Sequence, residues 1–264
     1  MHNLVQLRRL TPGTRLDDFL KRLFDVKNVD AGLLKEVHDA ITPLCKALVD
    51  PDLDGWDTSR FVVGANRNPS QRVIAFTVSG DRKNQVFFTE LFFDQQLRHK
   101  YITLLTEPFN IDGHARAATL IHEFAHLYAR AEDITYIEAR RPFADLIDTT
   151  NQRGRFEHTL LQAFQHNVLS LRTPFNQLFS RWYPRSGSSG TSGNSGNWVT
   201  MDASNSEDLA AKAILETTAS TSIDEARRAF LDTASADKRI DTILRNADSV
   251  ARLICEMGRA LDPE

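Results

Sequence analysis

The chain has 264 residues, 41% of them hydrophobic and 25% charged, and a formal net charge of −3 at pH 7. That is enough for one well-buried domain or two small ones, and the near-neutral balance gives no reason to expect nucleic acid as a partner. No run approaches the roughly eighteen apolar residues needed to span a bilayer, and two cysteines in helix-like apolar patterns argue against a disulfide framework or a zinc finger.

Residues 14 to 50 read as two helices. Leu16, Phe19, Leu20, Leu23 and Phe24 recur at helical spacing, as do Leu33, Leu34, Val37, Ile41, Leu44 and Leu48, with Pro43 placed to kink or split the second run. Asp50 to Gly55 is turn chemistry and marks a boundary. Phe61-Val62-Val63, Val73 to Val78 and Gln85 to Thr89 are β-branched and aromatic runs separated by turn residues, which predicts a small antiparallel meander. Phe92 to Leu105 reads as a short helix plus loop, with Phe87, Phe88, Phe92 and Phe93 as core aromatics.

Residues 114 to 130 form the most regular helix, capped by Asp112 or Gly113. Pro142 to Ile147 and Phe156 to Leu171 read as further helices. Residues 186 to 197, SGSSGTSGNSGN, read as a flexible loop. Residues 206 to 261 return to helical patterns, broken near Thr221-Ser222, Ser235 and Asn246. The organisation expected is a helical segment over 1–55, a core over 56–185, the loop over 186–197 and a C-terminal helical segment over 198–264 packing on the core. The fold class is α+β, mainly helical, with a small antiparallel sheet beside the helix at 114–130.

That helix carries His122-Glu123-Phe124-Ala125-His126. Residues four apart stack on one helix face, so two imidazole nitrogens can reach one Zn²⁺ at about 2.0–2.1 Å. Glu123 can then reach a metal-activated water as general base without occupying a coordination position. By chance alone the motif would arise in on the order of one or two such chains per hundred, so context has to support it. Leu120, Ile121, Leu127 and Tyr128 make the helix apolar around its histidines, as a dry, shaped site requires. A catalytic zinc of this kind needs a third protein ligand and an open fourth position. Asp133, Glu138 and Glu157 are the candidates, because the places of the glycine and the third histidine in a longer motif hold Ala129 and Glu132.

Asp133-Ile134-Thr135-Tyr136 resembles the Asp-x-x-Tyr element of the aspzincins, the deuterolysin and lysine-specific metalloendopeptidase group. The resemblance covers roughly residues 85 to 140. It implies Asp133 as the third zinc ligand and Tyr136 as a hydrogen-bond donor to the developing oxyanion. The chain has Ala131-Glu132 and Ile137 where that family usually has Gly-Thr and Gly. Ala118 to His126, Phe109 to Asp112 and Ser249 to Ile254 are also similar to metallopeptidase-like regions of dermonecrotic-toxin-like bacterial proteins. That likeness implies a toxin or effector role, with a parent toxin chain or a secretion apparatus as a partner besides the peptide substrate. It agrees with an N-terminus that lacks a secretory apolar core: the expectation is export without a cleaved signal, or delivery into a target cell, from the cytoplasm.

The reading is a zinc endopeptidase. A zinc amidohydrolase acting on cell-wall peptide and a non-catalytic protein-binding domain are the alternatives. Among other polar residues, His114 reads as solvated or capping and His158 and His166 as structural. Asp145 and Asp148 read as ordinary surface carboxylates, with partnership to a ligand histidine's free N–H as the alternative. Arg140 and Arg141 read as a solvated basic pair, with an acidic substrate group as the alternative. A peptide is expected to lie along the edge of the sheet.

Overall fold

The computed structural model describes residues 10–49, 60–65, 73–78, 80–94, 109–166, 169–184 and 196–259. The boundary expected at Asp50 to Gly55 and most of the loops expected after Phe93 and over 186–197 lie outside them.

Two helices open the described chain, α1 (Arg15–Phe24) and α2 (Ala31–Leu48). Each starts on a side-chain cap. Thr14 accepts the amide of Asp17, and Asp30 accepts that of Leu33, which satisfies backbone donors the first turn leaves without partners. Pro43 does not split α2.

The three strands β1 (Phe61–Gly64), β2 (Ala75–Thr77) and β3 (Val86–Thr89) form one sheet in the order β1-β3-β2. Only β2 and β3 are antiparallel, while β1 runs parallel to β3 with Phe61 opposite Val86. The expected meander is therefore corrected to a mixed sheet. The most apolar strand takes the centre, where Val86 and Phe88 are buried and both strand edges are hydrogen-bonded. Among the described residues, β2 pairs on one side only.

A short helix, α3 (Glu90–Phe93), follows the sheet, and Phe93 at its end is 51% exposed rather than core. The long helix α4 (Ile111–Tyr128) is capped by Asn110, not by Asp112 or Gly113. The Asn110 side chain accepts the Gly113 amide at 2.8 Å. The helix expected at Pro142 to Ile147 is a single 3₁₀ turn at Ala144–Leu146, and α5 spans Gln152–His166. A hairpin of β4 (Ser180–Pro184) and β5 (Gly196–Thr200), with Trp182 against Trp198, was not expected. Helices α6 (Leu209–Thr218), α7 (Ile223–Leu231), α8 (Ala236–Leu244) and α9 (Ala247–Arg259) complete the fold, with breaks where the sequence placed them.

One hydrophobic cluster joins α1, α2, β3, α4 and α6 to α9, through residues such as Phe24, Ile41, Phe88, Phe124, Ile214, Phe230 and Leu253. The fold is thus mainly helical α+β. Among the described residues no helix is long and apolar enough to cross a membrane.

Candidate metal centre

Helix α4 divides its faces. Ala118, Phe124 and Ala125 are buried in the fold, while Thr119, His122, Glu123 and His126 line a cleft of about 790 Å³. The helix then stops abruptly. Arg130 takes a left-handed conformation at φ 53°, and the amides of Ala129 and Ala131 both donate to the Ala125 carbonyl, a reversal of the kind that ends many helices. The chain is thereby turned back beneath His126. Ala131, Ile134 and Ile137 are buried at every third position, which leaves Asp133 and Tyr136 to line the cleft.

This loop is held by the break between α8 and α9. Glu132 donates to the Arg245 carbonyl at 2.7 Å and accepts from Ala247 at 3.1 Å, and Asn246 Oδ1 accepts the Thr135 amide at 3.0 Å. Farther along α9, Arg252 stacks 3.8 Å from the Phe143 ring centre and donates to the Arg141 carbonyl, and Arg259 pairs with Asp145. The C-terminal helix is therefore part of the site's framework.

The candidate ligand atoms converge. His122 Nε2 and His126 Nε2 are 3.2 Å apart, and Asp133 Oδ1 lies 3.1 and 3.6 Å from them. Four ligands on a tetrahedral zinc at 2.0–2.2 Å would stand roughly 3.3–3.5 Å from one another, so the three atoms fit one face of such a site. Among the described residues no other group of histidine, cysteine and carboxylate atoms gathers this closely.

The far side of each ring fixes its chemistry. His122 Nδ1 donates to Asp248 Oδ1 at 2.8 Å, and His126 Nδ1 donates to the Ala131 carbonyl at 2.8 Å. Both partners are acceptors, so in neutral rings both Nε2 atoms carry lone pairs. Those lone pairs face each other and Asp133 Oδ1, an oxygen that is buried and accepts no hydrogen bond. Three electron-rich atoms packed this closely repel unless a cation lies among them. The charge balance says the same. Burial works to lower the His122 pKa, but Asp133 and Asp248 outweigh it and carry it up to about 10. The negative charge that would hold a proton there would equally hold a metal ion. Two imidazoles and one carboxylate oxygen suit zinc.

Asp248 is the residue the sequence did not point to. Its second oxygen accepts the Ile137 amide at 2.8 Å, so one carboxylate orients His122 and ties down the loop that carries Asp133 and Tyr136. Asp145 and Asp148, for which that role was the alternative to an ordinary surface carboxylate, are engaged elsewhere. Asp145 pairs with Arg259, and Asp148 accepts from Thr150 and Asn151. Glu138 and Glu157 stand with Arg141, at 3.2 and 4.0 Å, rather than with the imidazoles.

Glu123 is 5% exposed and lines the cleft between the histidines in sequence. Burial pushes its carboxyl up to about 7, against the lowering effect of His122. A bound cation would draw it down again. Tyr136, 60% exposed at the cleft, stacks on His122 with ring centres 6.2 Å apart and planes within 12°, and partial desolvation and the nearby Asp133 raise its pKa.

His114 is not solvated. Its ring lies between Phe109 and Phe143, and Nε2 donates to the carbonyls of Ala139 and Arg141 at 3.1 and 3.0 Å. Burial and then the Arg252 charge lower its pKa to about 4. Comparison with known proteins finds no matching family model, no matching curated protein and no matching solved structure.

Proposed function

We propose that the chain is a zinc-dependent endopeptidase. The observation that carries this reading is the convergence of His122 Nε2, His126 Nε2 and buried Asp133 Oδ1, with Glu123 beside them in the same cleft. A structural metal would have no use for Glu123.

His122, His126 and Asp133 would hold the zinc. When bound, it would supply Lewis acidity that polarises a carbonyl and acidifies water. Glu123 takes the proton from the attacking water as general base and returns it to the leaving amine. Tyr136 donates its hydroxyl hydrogen to the oxyanion as charge develops. Asp248 keeps His122 in the tautomer that presents Nε2.

Strand β2 supports a peptide over a small substrate. Val73 to Val78 line the same cleft as the histidines, and among the described residues β2 pairs on one side only. An extended chain can add there by main-chain hydrogen bonds. The toxin or effector role that the resemblance implies, and delivery without a cleaved signal, belong to the same proposal. The test is incubation of the purified protein with an unfolded protein, with and without a chelator. Cleavage that the chelator stops and added zinc restores supports the endopeptidase. Cleavage of cell-wall peptide alone would replace it with an amidohydrolase.

A further inference from the structure

We propose that Arg140 selects the substrate: it receives a carboxylate of the bound peptide, so that acidic peptides are preferred over neutral or basic ones. This rests on the reading of the site as a peptidase and adds a substrate class to it.

Arg140 lines the cleft together with β2 and the histidines, and among the described residues it is the one cation that does. It has no ion pair and no hydrogen bond among the described residues, whereas its neighbour Arg141 is engaged by Glu138 and Glu157. Asp81, Asp248 and Asp133, which share the cleft, are each engaged: Asp81 accepts the amides of Lys83 and Gln85, Asp248 holds His122 and Ile137, and Asp133 lies between the imidazoles. Glu123, which feels the Arg140 charge, is the proposed base.

The segment that presents Arg140 is clamped. The carbonyls on either side of it, those of Ala139 and Arg141, both accept from His114 Nε2, and Ala139 is buried. Glu138, just before, is held in a left-handed conformation at φ 57°. A guanidinium on a fixed backbone, half-buried and free of protein partners, is arranged to meet a carboxylate in its planar fork. Prior fixing of the segment reduces the ordering cost of that contact.

The test is a peptide series identical except for Glu, Gln or Lys at each position around one cleavable bond, each with a free and an amidated C-terminus. Two quantities are read: kcat/KM of the wild type, and Kd for uncleaved peptide on the Glu123→Gln protein. We expect Glu to be favoured over Gln by about tenfold at one position, the effect of one charge-assisted hydrogen-bonded pair. Arg140→Glu should invert the order towards Lys, and Arg140→Lys should keep most of it. A Glu preference that survives amidation makes the carboxylate a side chain, and an efficiency that drops about tenfold on amidation, with no side-chain preference, makes it the chain terminus; either result supports the assignment. Equal efficiency across the series in the wild type, with amidation also without effect, overturns it. So does an unchanged preference in Arg140→Glu, or an effect of that variant confined to the acid limb of the pH profile, which would make Arg140 a modulator of Glu123. Zinc-dependent cleavage without acid preference removes this inference alone. Absence of both cleavage and binding removes the peptidase reading with it.

Discussion

Asp248→Asn is the sharpest perturbation the framework offers, because the change is isosteric and lies outside the set of metal-contacting atoms. The carboxylate accepts two hydrogen bonds at 2.8 Å, one from His122 Nδ1 and one from the Ile137 amide. An asparagine has one acceptor oxygen, so one of the two N–H donors must face an NH₂ group instead. A hydrogen bond to a charged group contributes about 1.5–3 kcal/mol. Loss of such support behind a ligand histidine typically weakens metal binding by about 10–100-fold. Zinc Kd should therefore rise by that factor, measured by competition with a chromophoric chelator. A far-UV circular dichroism melt alongside should show that the fold survives. If the variant folds like the wild type and binds zinc within twofold of it, Asp248 does not orient His122 and the framework assigned to α9 is wrong.

Glu123→Gln should keep its zinc and lose about 10²–10⁴-fold in hydrolysis, and near-native turnover would remove Glu123 as the base. Because the base acts deprotonated and its pKa is raised to about 7 before any cation draws it down, wild-type kcat/KM should climb with pH through an acid limb at or below about pH 7. A limb centred well above neutral would contradict the assignment. Tyr136→Phe should lower kcat by roughly 10²–10³-fold at constant zinc content; a wild-type rate would leave Tyr136 as a wall of the cleft. His114 is held neutral, with a folded pKa of about 4 against 6.5 for a free imidazole. The unfolded chain therefore takes up the proton first as pH falls, and stability present above about pH 6.5 is lost towards pH 4, on the order of 3 kcal/mol. His114→Gln, which keeps an N–H donor, should flatten that loss in urea titrations at several pH values, and parallel curves for the two proteins would refute the account.

Much of this architecture is legible in periodicity. The apolar spacing of α1, α2 and α4 is enough to place them, and Ser235 and Asn246 mark real helix breaks. What the sequence could not supply is what depends on distant partners. Asp248 lies 126 residues from His122 and looks in sequence like any acidic residue in a first helical turn, where the helix dipole favours one. Asp145 and Asp148 were nearer in sequence and no nearer in space. The order β1-β3-β2 puts buried Val86 and Phe88 in the centre of the sheet, and strand order is set by such packing rather than by chain order. The β4–β5 hairpin did leave a trace, the aromatics Trp182, Tyr183 and Trp198, obscured by the glycine- and serine-rich stretch between them. The left-handed turn at Arg130, which brings Asp133 back to the histidines, is one that glycine would ordinarily signal and that no glycine marks here.

The central claim is that His122, His126 and Asp133 are a zinc site, and elemental analysis of the purified protein beside its His126→Ala variant tests it most directly. The account predicts about one equivalent of zinc in the wild type and none tightly held in the variant, since two nitrogens fixed on one helix supply most of the preorganisation. Iron in place of zinc, no metal in the wild type, or a full equivalent of zinc retained by His126→Ala would contradict it.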